Sequence, residues 1–178
     1  GKDFQWSIDL AASTGSNKLT KLSNEFFSLG SNWLSLYSLP APGALGYAIR
    51  LDEGGKIGNF YGKRFAGLTE DGKWLFYKAD GSTARASEMN ENDNTIIGNG
   101  VPKAQVSLGN TFRYKGFDLT ILLRGKFGFD ILNLPDLYFG NKKWLPQNLL
   151  KSAITKHNDL NDDPQYSDYY IEKGNFVK

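Results

Sequence analysis

Three stretches of this chain alternate apolar and polar side chains with period two, each for about 11 residues. In the first, Phe4, Trp6, Ile8, Leu10 and Ala12 share one face, opposite Gln5, Ser7, Asp9 and Ser13. The second sets Ala104, Val106, Leu108, Phe112 and Tyr114 against Gln105, Ser107, Thr111 and Arg113, with Asn110 interrupting the apolar side. The third sets Phe117, Leu119, Ile121, Leu123 and Phe127 against Asp118, Thr120, Arg124 and Lys126, with Leu122 as the exception. A pleated strand sends successive side chains to opposite faces, so each stretch is a strand with one apolar and one polar side. Strands of globular proteins usually run about 5–6 residues, whereas a tilted membrane-spanning strand needs about 9–11. The length points to barrel wall. The pattern alone also fits a half-buried antiparallel hairpin on a soluble core, which is a common arrangement.

The connections are unequal. Tyr114-Lys115-Gly116-Phe117 joins the second and third stretches as a tight turn, its glycine free to take a positive φ. Phe112, Tyr114 and Phe117 gather at that end, where an interfacial aromatic girdle would lie. At the opposite ends, long loops are expected over residues 15–102 and 128–175, with strands at about 4–14, 103–114 and 117–127. Within the first loop, Tyr47–Leu51, Phe60–Phe65 and Trp74–Tyr77 read as short strands between glycine and acidic turns, and Ser82–Asn94 reads as loose. In the second loop, Pro146–His157 is the expected helix: Leu149, Leu150, Ala153, Ile154 and His157 recur at helical spacing behind a first-turn proline. Asn158–Ser167 is polar and acidic, and is expected as loop. Short turns at one end and long loops at the other are the shape of an outer-membrane barrel. The expected fold class is therefore mainly β: antiparallel strands of an outer-membrane β-barrel segment with long loops and one short helix.

Composition narrows the partners more than the fold. Aromatics make up 14% of the 178 residues and there are 20 glycines, a bias towards strands, turns and bulges that a sugar-binding sandwich would share. The net charge is +2 with no concentrated basic block, so no nucleic-acid partner is expected. The chain contains no cysteine, which removes disulfides, thiolate nucleophiles and cysteine zinc sites. No apolar run approaches the roughly 20 residues of a membrane-spanning helix, which leaves spanning strands untouched. No signal peptide precedes the first strand, and Gly174–Lys178 stops as another strand begins. Both ends are expected to continue in a longer chain.

No catalytic constellation stands out. His157 is the only histidine; Ser152 and Asp159 lie near it in sequence, but triad chemistry requires geometry rather than proximity. His157 is expected as a capping or surface residue at a helix C-terminus. A second histidine or a cysteine for a metal site is missing, no carboxylate pair is set apart among the 19 acidic residues, and no Gly-Lys pair completes a phosphate-binding loop. Neither an enzyme nor a cofactor is expected. For ligand binding, the candidates are the loop aromatics Trp33, Tyr37, Tyr61, Trp74, Tyr77, Tyr138 and Trp144, whose flat faces suit sugars or peptides. Against this stands the simpler role of packing the loops on one another.

Ile57–Gly67, Ile96–Lys103, Gly109–Leu119, Lys126–Asn133 and Asp168–Lys178 carry patterned aromatics, glycines and asparagines, and together they resemble segments of the SusC/RagA family of TonB-dependent outer-membrane transporters. Ile96-Ile97-Gly98-Asn99-Gly100-Val101-Pro102-Lys103 is similar to the family's strand entry "IIGN-x-x-PK". Gly109–Leu119 is similar to its "NTF-x-YK-x-FDL" hairpin, and Lys126–Asn133 to its "x-x-G-x-x-I-x-N" strand exit. Ile57–Gly62 with Phe65-Ala66-Gly67 resembles "IG-x-FYG-x-x-x-x-G", and Asp168–Lys178 resembles "YIE-x-GDFLKL". Five such segments in order span nearly the whole chain. The resemblance implies a late portion of a barrel of about 22 strands. It also implies uptake of a glycan or peptide, a SusD-like surface lipoprotein above and the TonB complex reached through other parts of the parent chain. Arg113, Arg124 and Lys126 would then face the lumen, and Phe117, Leu119, Ile121 and Leu123 the lipid. The family's Asp-rich stretch before "IIGN", which looks like a calcium loop, is not reproduced: Asp80, Glu91 and Asp93 lack its spacing. A soluble surface module of β-sandwich type that binds carbohydrate remains the alternative.

Overall fold

The computed structural model describes residues 3–40, 45–143 and 148–178. From the N-terminal side come β1 (Phe4–Thr14), β2 (Trp33–Ser38), β3 (Tyr47–Asp52), β4 (Asn59–Gly62), β5 (Arg64–Leu68), β6 (Trp74–Tyr77), β7 (Thr83–Arg85) and β8 (Thr95–Asn99). The long hairpin β9 (Ala104–Tyr114) and β10 (Phe117–Phe127) follows, then β11 (Asp130–Leu132), helices α1 (Leu134–Phe139) and α2 (Ser152–Thr155), β12 (Ile171–Lys173) and β13 (Phe176–Val177).

The three alternating stretches are the three long strands, and they lie side by side in the order β1-β9-β10-β13, all antiparallel. Their registers stack like with like. Phe4, Tyr114 and Phe117 form one cross-strand row, followed on the same face by Trp6-Phe112-Leu119, Ile8-Asn110-Ile121 and Leu10-Leu108-Leu123. The other face carries Gln5-Arg113-Asp118, Ser7-Thr111-Thr120 and Ser13-Gln105-Lys126. Asn110, the polar intruder on the apolar side, is answered by Trp6, whose indole N–H donates to its Oδ1 at 3.2 Å. Gly125, the gap in that side, is covered by the ring of Phe127 two residues on.

Among the described residues, nothing covers the apolar face. Leu10 is 70% exposed and Phe117 79%. The accessible surface is 11703 Å², whereas a compact monomer of this mass exposes roughly 8,600 Å². The excess is that of an open sheet, against which a β-sandwich would pack a second sheet. An 11-residue strand is about 37 Å long, and at barrel tilts spans about 28 Å, close to the apolar band of an outer membrane.

At one end of the wall the turn is as tight as a hairpin allows. Lys115 has φ 44° and Gly116 φ 87°, the two positive values of a type I′ turn, whose twist matches the flanking strands. Asparagine tolerates the first position better than lysine. Lys115→Asn is therefore expected to stabilise the hairpin by a few tenths of a kcal/mol, while Gly116→Val costs about 1–2 kcal/mol. The urea midpoint of the refolded parent barrel measures both.

At the other end the two long connections fold together into a cap. Its sheets are β2-β3-β4-β8, β5-β6-β7 and β11-β12. One core serves both connections: Leu39, Ala48, Trp74 and Phe76 from the first pack with Leu137, Leu160, Tyr166 and Tyr170 from the second. Polar ties cross the same seam. Trp74 Nε1 donates to the Asp163 carbonyl at 2.8 Å, Tyr166 Oη to the Ala48 carbonyl at 2.8 Å, and the Phe65 amide to Asp168 Oδ1 at 2.6 Å.

The cap departs from sequence expectation in three places. The described part of the expected Pro146–His157 helix is helical only over Ser152–Thr155, and Ile154 faces outward at 63% exposure; Pro146 lies outside the described residues. The Leu150 amide is drawn to the Phe139 carbonyl instead. The second helix, Leu134–Phe139, is too short for periodicity to reveal, but carries local signals: Asn133 accepts from the Asp136 amide at 3.0 Å and Pro135 sits in the first turn. Ser82–Asn94 is ordered rather than loose. Glu88 Oε2 accepts from the Arg85 amide, Asn90 Oδ1 from Asn92, and Asp93 from both Ala79 and Asn90.

Candidate functional site

The cap sheet built on β3 sends Ala48, Arg50 and Asp52 to one side, and its register with β2 sets Ser35 opposite Arg50 and Trp33 opposite Asp52. A register shift between Phe60 and Tyr61, where β4 meets β8, accompanies the approach of Tyr61 to the same place. The result is a sandwich. The Arg50 guanidinium lies 4.7 Å from the Trp33 ring centre and 4.4 Å from that of Tyr61, with Nε 2.8 Å from Asp52 Oδ1. A planar cation between two aromatic faces, steered by a carboxylate, is held rigidly. Beside it opens a pocket of about 140 Å³ that Lys63, Glu91 and Asn94 also line. Burial holds the Lys63 ammonium below the usual lysine range. Its Nζ donates to Gln165 Oε1 at 3.1 Å.

Of the aromatic candidates, the structure brings Trp33 and Tyr61 together and disperses the others. Trp74 has no exposed surface; its ring meets Phe65, Phe76, Tyr169 and Tyr170 inside the core, so it packs the cap and cannot touch a ligand. Tyr77 stands on the separate β5-β6-β7 sheet, beneath the Arg64 guanidinium at 5.0 Å. Tyr37 is more than half exposed, holds φ 61°, and lines a different, apolar cleft of about 310 Å³ with Phe60, Phe129 and Leu134. A tyrosine in the left-handed region carries strain that its surroundings must sustain. Tyr138 donates its hydroxyl to the Pro40 carbonyl at 2.9 Å. Trp144 lies outside the described residues. Sequence reasoning by aromatics alone passed over Arg50, Lys63 and Asn94. The alternation within Tyr47–Asp52, which sets Arg50 apart from Ile49 and Leu51, was the available signal for the first.

His157 is not at the surface. It is 2% exposed, with Nε2 2.9 Å from Asp136 Oδ2 and Nδ1 2.7 Å from Tyr169 Oη. Ser152 Oγ donates to Asp136 Oδ1 at 2.5 Å, and Lys156 Nζ reaches Oδ2 at 3.2 Å. In a hydrolytic triad the imidazole stands between serine and carboxylate. Here the carboxylate stands between serine and imidazole, so the serine–histidine hydrogen bond of a triad is not made. Asp159 has no place in the cluster. Burial opposes ionisation of Asp136, yet the bonds from Ser152, His157 and Lys156 prevail and hold its carboxyl below the ordinary range. A carboxyl depressed on folding stabilises the cap above its unfolded value of about 3.9, and that contribution disappears as pH falls through the folded value. Asp136→Asn is expected to cost the cap about 1–2 kcal/mol at pH 7 and to flatten its acid sensitivity. Limited proteolysis of the parent between pH 7 and pH 2 measures both effects.

Two of the three carboxylates considered for calcium are spent elsewhere, and the third, Glu91, lines the pocket beside Arg50. Asp93 gives one oxygen to the Ala79 amide and the other to Asn90, both at 3.0 Å, and Asp80 Oδ1 accepts from Ser82. Among the described residues no group of three or more histidine, cysteine, aspartate or glutamate side chains converges as a metal site would need.

A two-faced wall of membrane-spanning length, closed by a tight turn below and a folded cap above, defines a segment of an outer-membrane-type β-barrel. Comparison with known proteins makes the class more particular. No protein-family profile matches the chain. It is 28% identical over 156 residues to TonB-dependent receptor P3 of Formosa agariphila, an alignment covering 79% of this chain and 15% of that protein. In fold it superposes along its whole length on a chain of the RagAB peptide transporter, with a TM-score of 0.67, 20% identity and 20% of that chain covered. In sequence it is similar to a stretch of a TonB-dependent receptor, and in fold to a stretch of a RagAB transporter chain. The chain spans about a fifth or less of the length of these relatives, and both bear the names of a receptor and a transporter rather than of an enzyme.

Proposed function

We propose that this chain forms part of the wall and the extracellular cap of an outer-membrane transporter powered through the TonB complex, with a SusD-like surface lipoprotein as its partner. The observation that supports this most is the wall: one face apolar and uncovered along four rows, the other polar, with all long connections folded at one end. In that setting Leu119, Ile121 and Leu123 meet lipid, and Arg113, Arg124 and Lys126 meet the aqueous lumen. The cap contributes to capture of a nutrient, a glycan or a peptide; the likeness to the RagAB peptide transporter favours the peptide. Trp33 and Tyr61 are the loop aromatics best disposed to meet it, with Tyr37 on its own cleft.

An antibody against the cap tests the reading by fractionation of the source cells. The expected result is an outer-membrane band several times larger than 19.8 kDa. A soluble or secreted band near that mass would remove the transporter and restore the carbohydrate-binding module.

A further inference from the structure

The pocket beside Arg50 holds two polar groups that the fold leaves incompletely answered. Lys63 is the first. Its ammonium is largely buried over the ring of Phe76, 5.7 Å from the centroid, and its one described bond is to a neutral amide, Gln165. Among the described residues no carboxylate lies within ion-pair distance of it. A cation withdrawn from water without an anion is costly, and buried charges are normally paired, so an incoming anion would relieve that cost. Asn94 is the second: its side-chain oxygen is buried with no hydrogen-bond partner, in the same pocket. Arg50 lines the same pocket, its Nε bound to Asp52 and its plane fixed by Trp33 and Tyr61. Glu91 lines the rim and makes no ion pair with either cation.

We propose that this pocket is a subsite for a carboxylate-bearing unit of the cargo, the carboxylate taken by Lys63 and Arg50 and a neighbouring hydroxyl or N–H of the same unit given to Asn94. This rests on the transporter reading above and deepens it. The volume, about 140 Å³, admits one such unit and no more. The carboxylate is supplied either by an acidic sugar or by the free C-terminus of a peptide, and the two share the recognition chemistry: an anion for the buried cation, a donor for the orphaned carbonyl, and an apolar face against Trp33.

The test is calorimetric titration of the full-length parent, purified in detergent. The probes are trigalacturonate beside its methyl ester, and trialanine beside trialanine amide. The expected result is that one acid binds at least tenfold tighter than its neutral counterpart, and that Lys63→Met removes this preference. Asn94→Asp, nearly isosteric, puts a negative charge into the pocket and is expected to weaken the same acid at least tenfold. It keeps the proposal testable should Lys63→Met fail to fold. Which pair discriminates identifies the source of the carboxylate. Equal binding of acid and neutral probe in both pairs, no binding by any of the four, or a preference indifferent to Lys63→Met and Asn94→Asp overturns the subsite. If any of these is found for a parent in the outer-membrane fraction, the subsite alone fails; a soluble parent overturns the transporter reading itself.

Discussion

An arginine at Ile121 is expected to cost the parent barrel about 2–4 kcal/mol, enough to remove most of the folded protein from the outer membrane. Ile121 sits midway along β10, in the row Ile8-Asn110-Ile121, on the face that the chain leaves uncovered. A charge there enters the middle of the hydrocarbon, where the long side chain has farthest to reach for water. One residue away, Thr120 points to the opposite face, with its hydroxyl 3.4 Å from that of Thr111. Thr120→Arg adds the same charge to the lumen side and is expected to shift stability by no more than about 0.5 kcal/mol, as exposed substitutions do. Folded outer-membrane protein, quantified for the two variants side by side, reads the difference. Equal yields would mean that the apolar face does not lie against lipid.

Trp74→Ala is expected to cost about 3–5 kcal/mol and to loosen the cap without dissolving the wall. The indole is wholly buried, ringed by four aromatic side chains, and its N–H is spent on the Asp163 carbonyl. Since Leu137, Leu160 and Tyr170 come from the other long connection, its loss undoes the contact between the two loops. The wall ladder β1-β9-β10 shares none of this core and keeps its hydrogen bonds. Protease cleavage should therefore rise within residues 15–103 and 128–175 while the long strands stay protected. Trp74→Phe keeps most of the packing and loses the N–H bond, and an intermediate response is expected.

The wall was legible because its order is local. A period of two is written in each strand separately, and Phe4–Thr14, Ala104–Tyr114 and Phe117–Phe127 each display it without reference to any other part of the chain. The cap is written differently. Its core joins residues as far apart as Ala48 and Tyr166, so no window of the sequence contains the pattern, and Trp74 looks the same as a ligand-stacking tryptophan until its neighbours are known. His157 was misread for a similar reason: what buries it is Asp136, 21 positions earlier, and Tyr169, 12 positions later. The short elements fell below the length at which helical spacing can be counted. Ser82–Asn94, polar throughout, is held by side-chain bonds to its own backbone rather than by apolar burial, and composition does not distinguish that from a solvated loop. Trp33 and Tyr61 were recognisable as loop aromatics; that they clasp Arg50 depended on strand register, and the approach of Lys63 on the packing of the two loops.

The account stands or falls on which face of β10 meets lipid. Single cysteines are placed at each position from Phe117 to Phe127 in a parent freed of any other cysteine, and each is labelled with a fluorophore quenched by brominated lipid. The account predicts alternation: strong quenching at 119, 121 and 123, and little at 118, 120 and 124, where a water-soluble thiol reagent reacts instead. Uniform labelling by the water-soluble reagent with no quenching at any position would contradict it, because Leu119, Ile121 and Leu123 would then face water or protein rather than membrane.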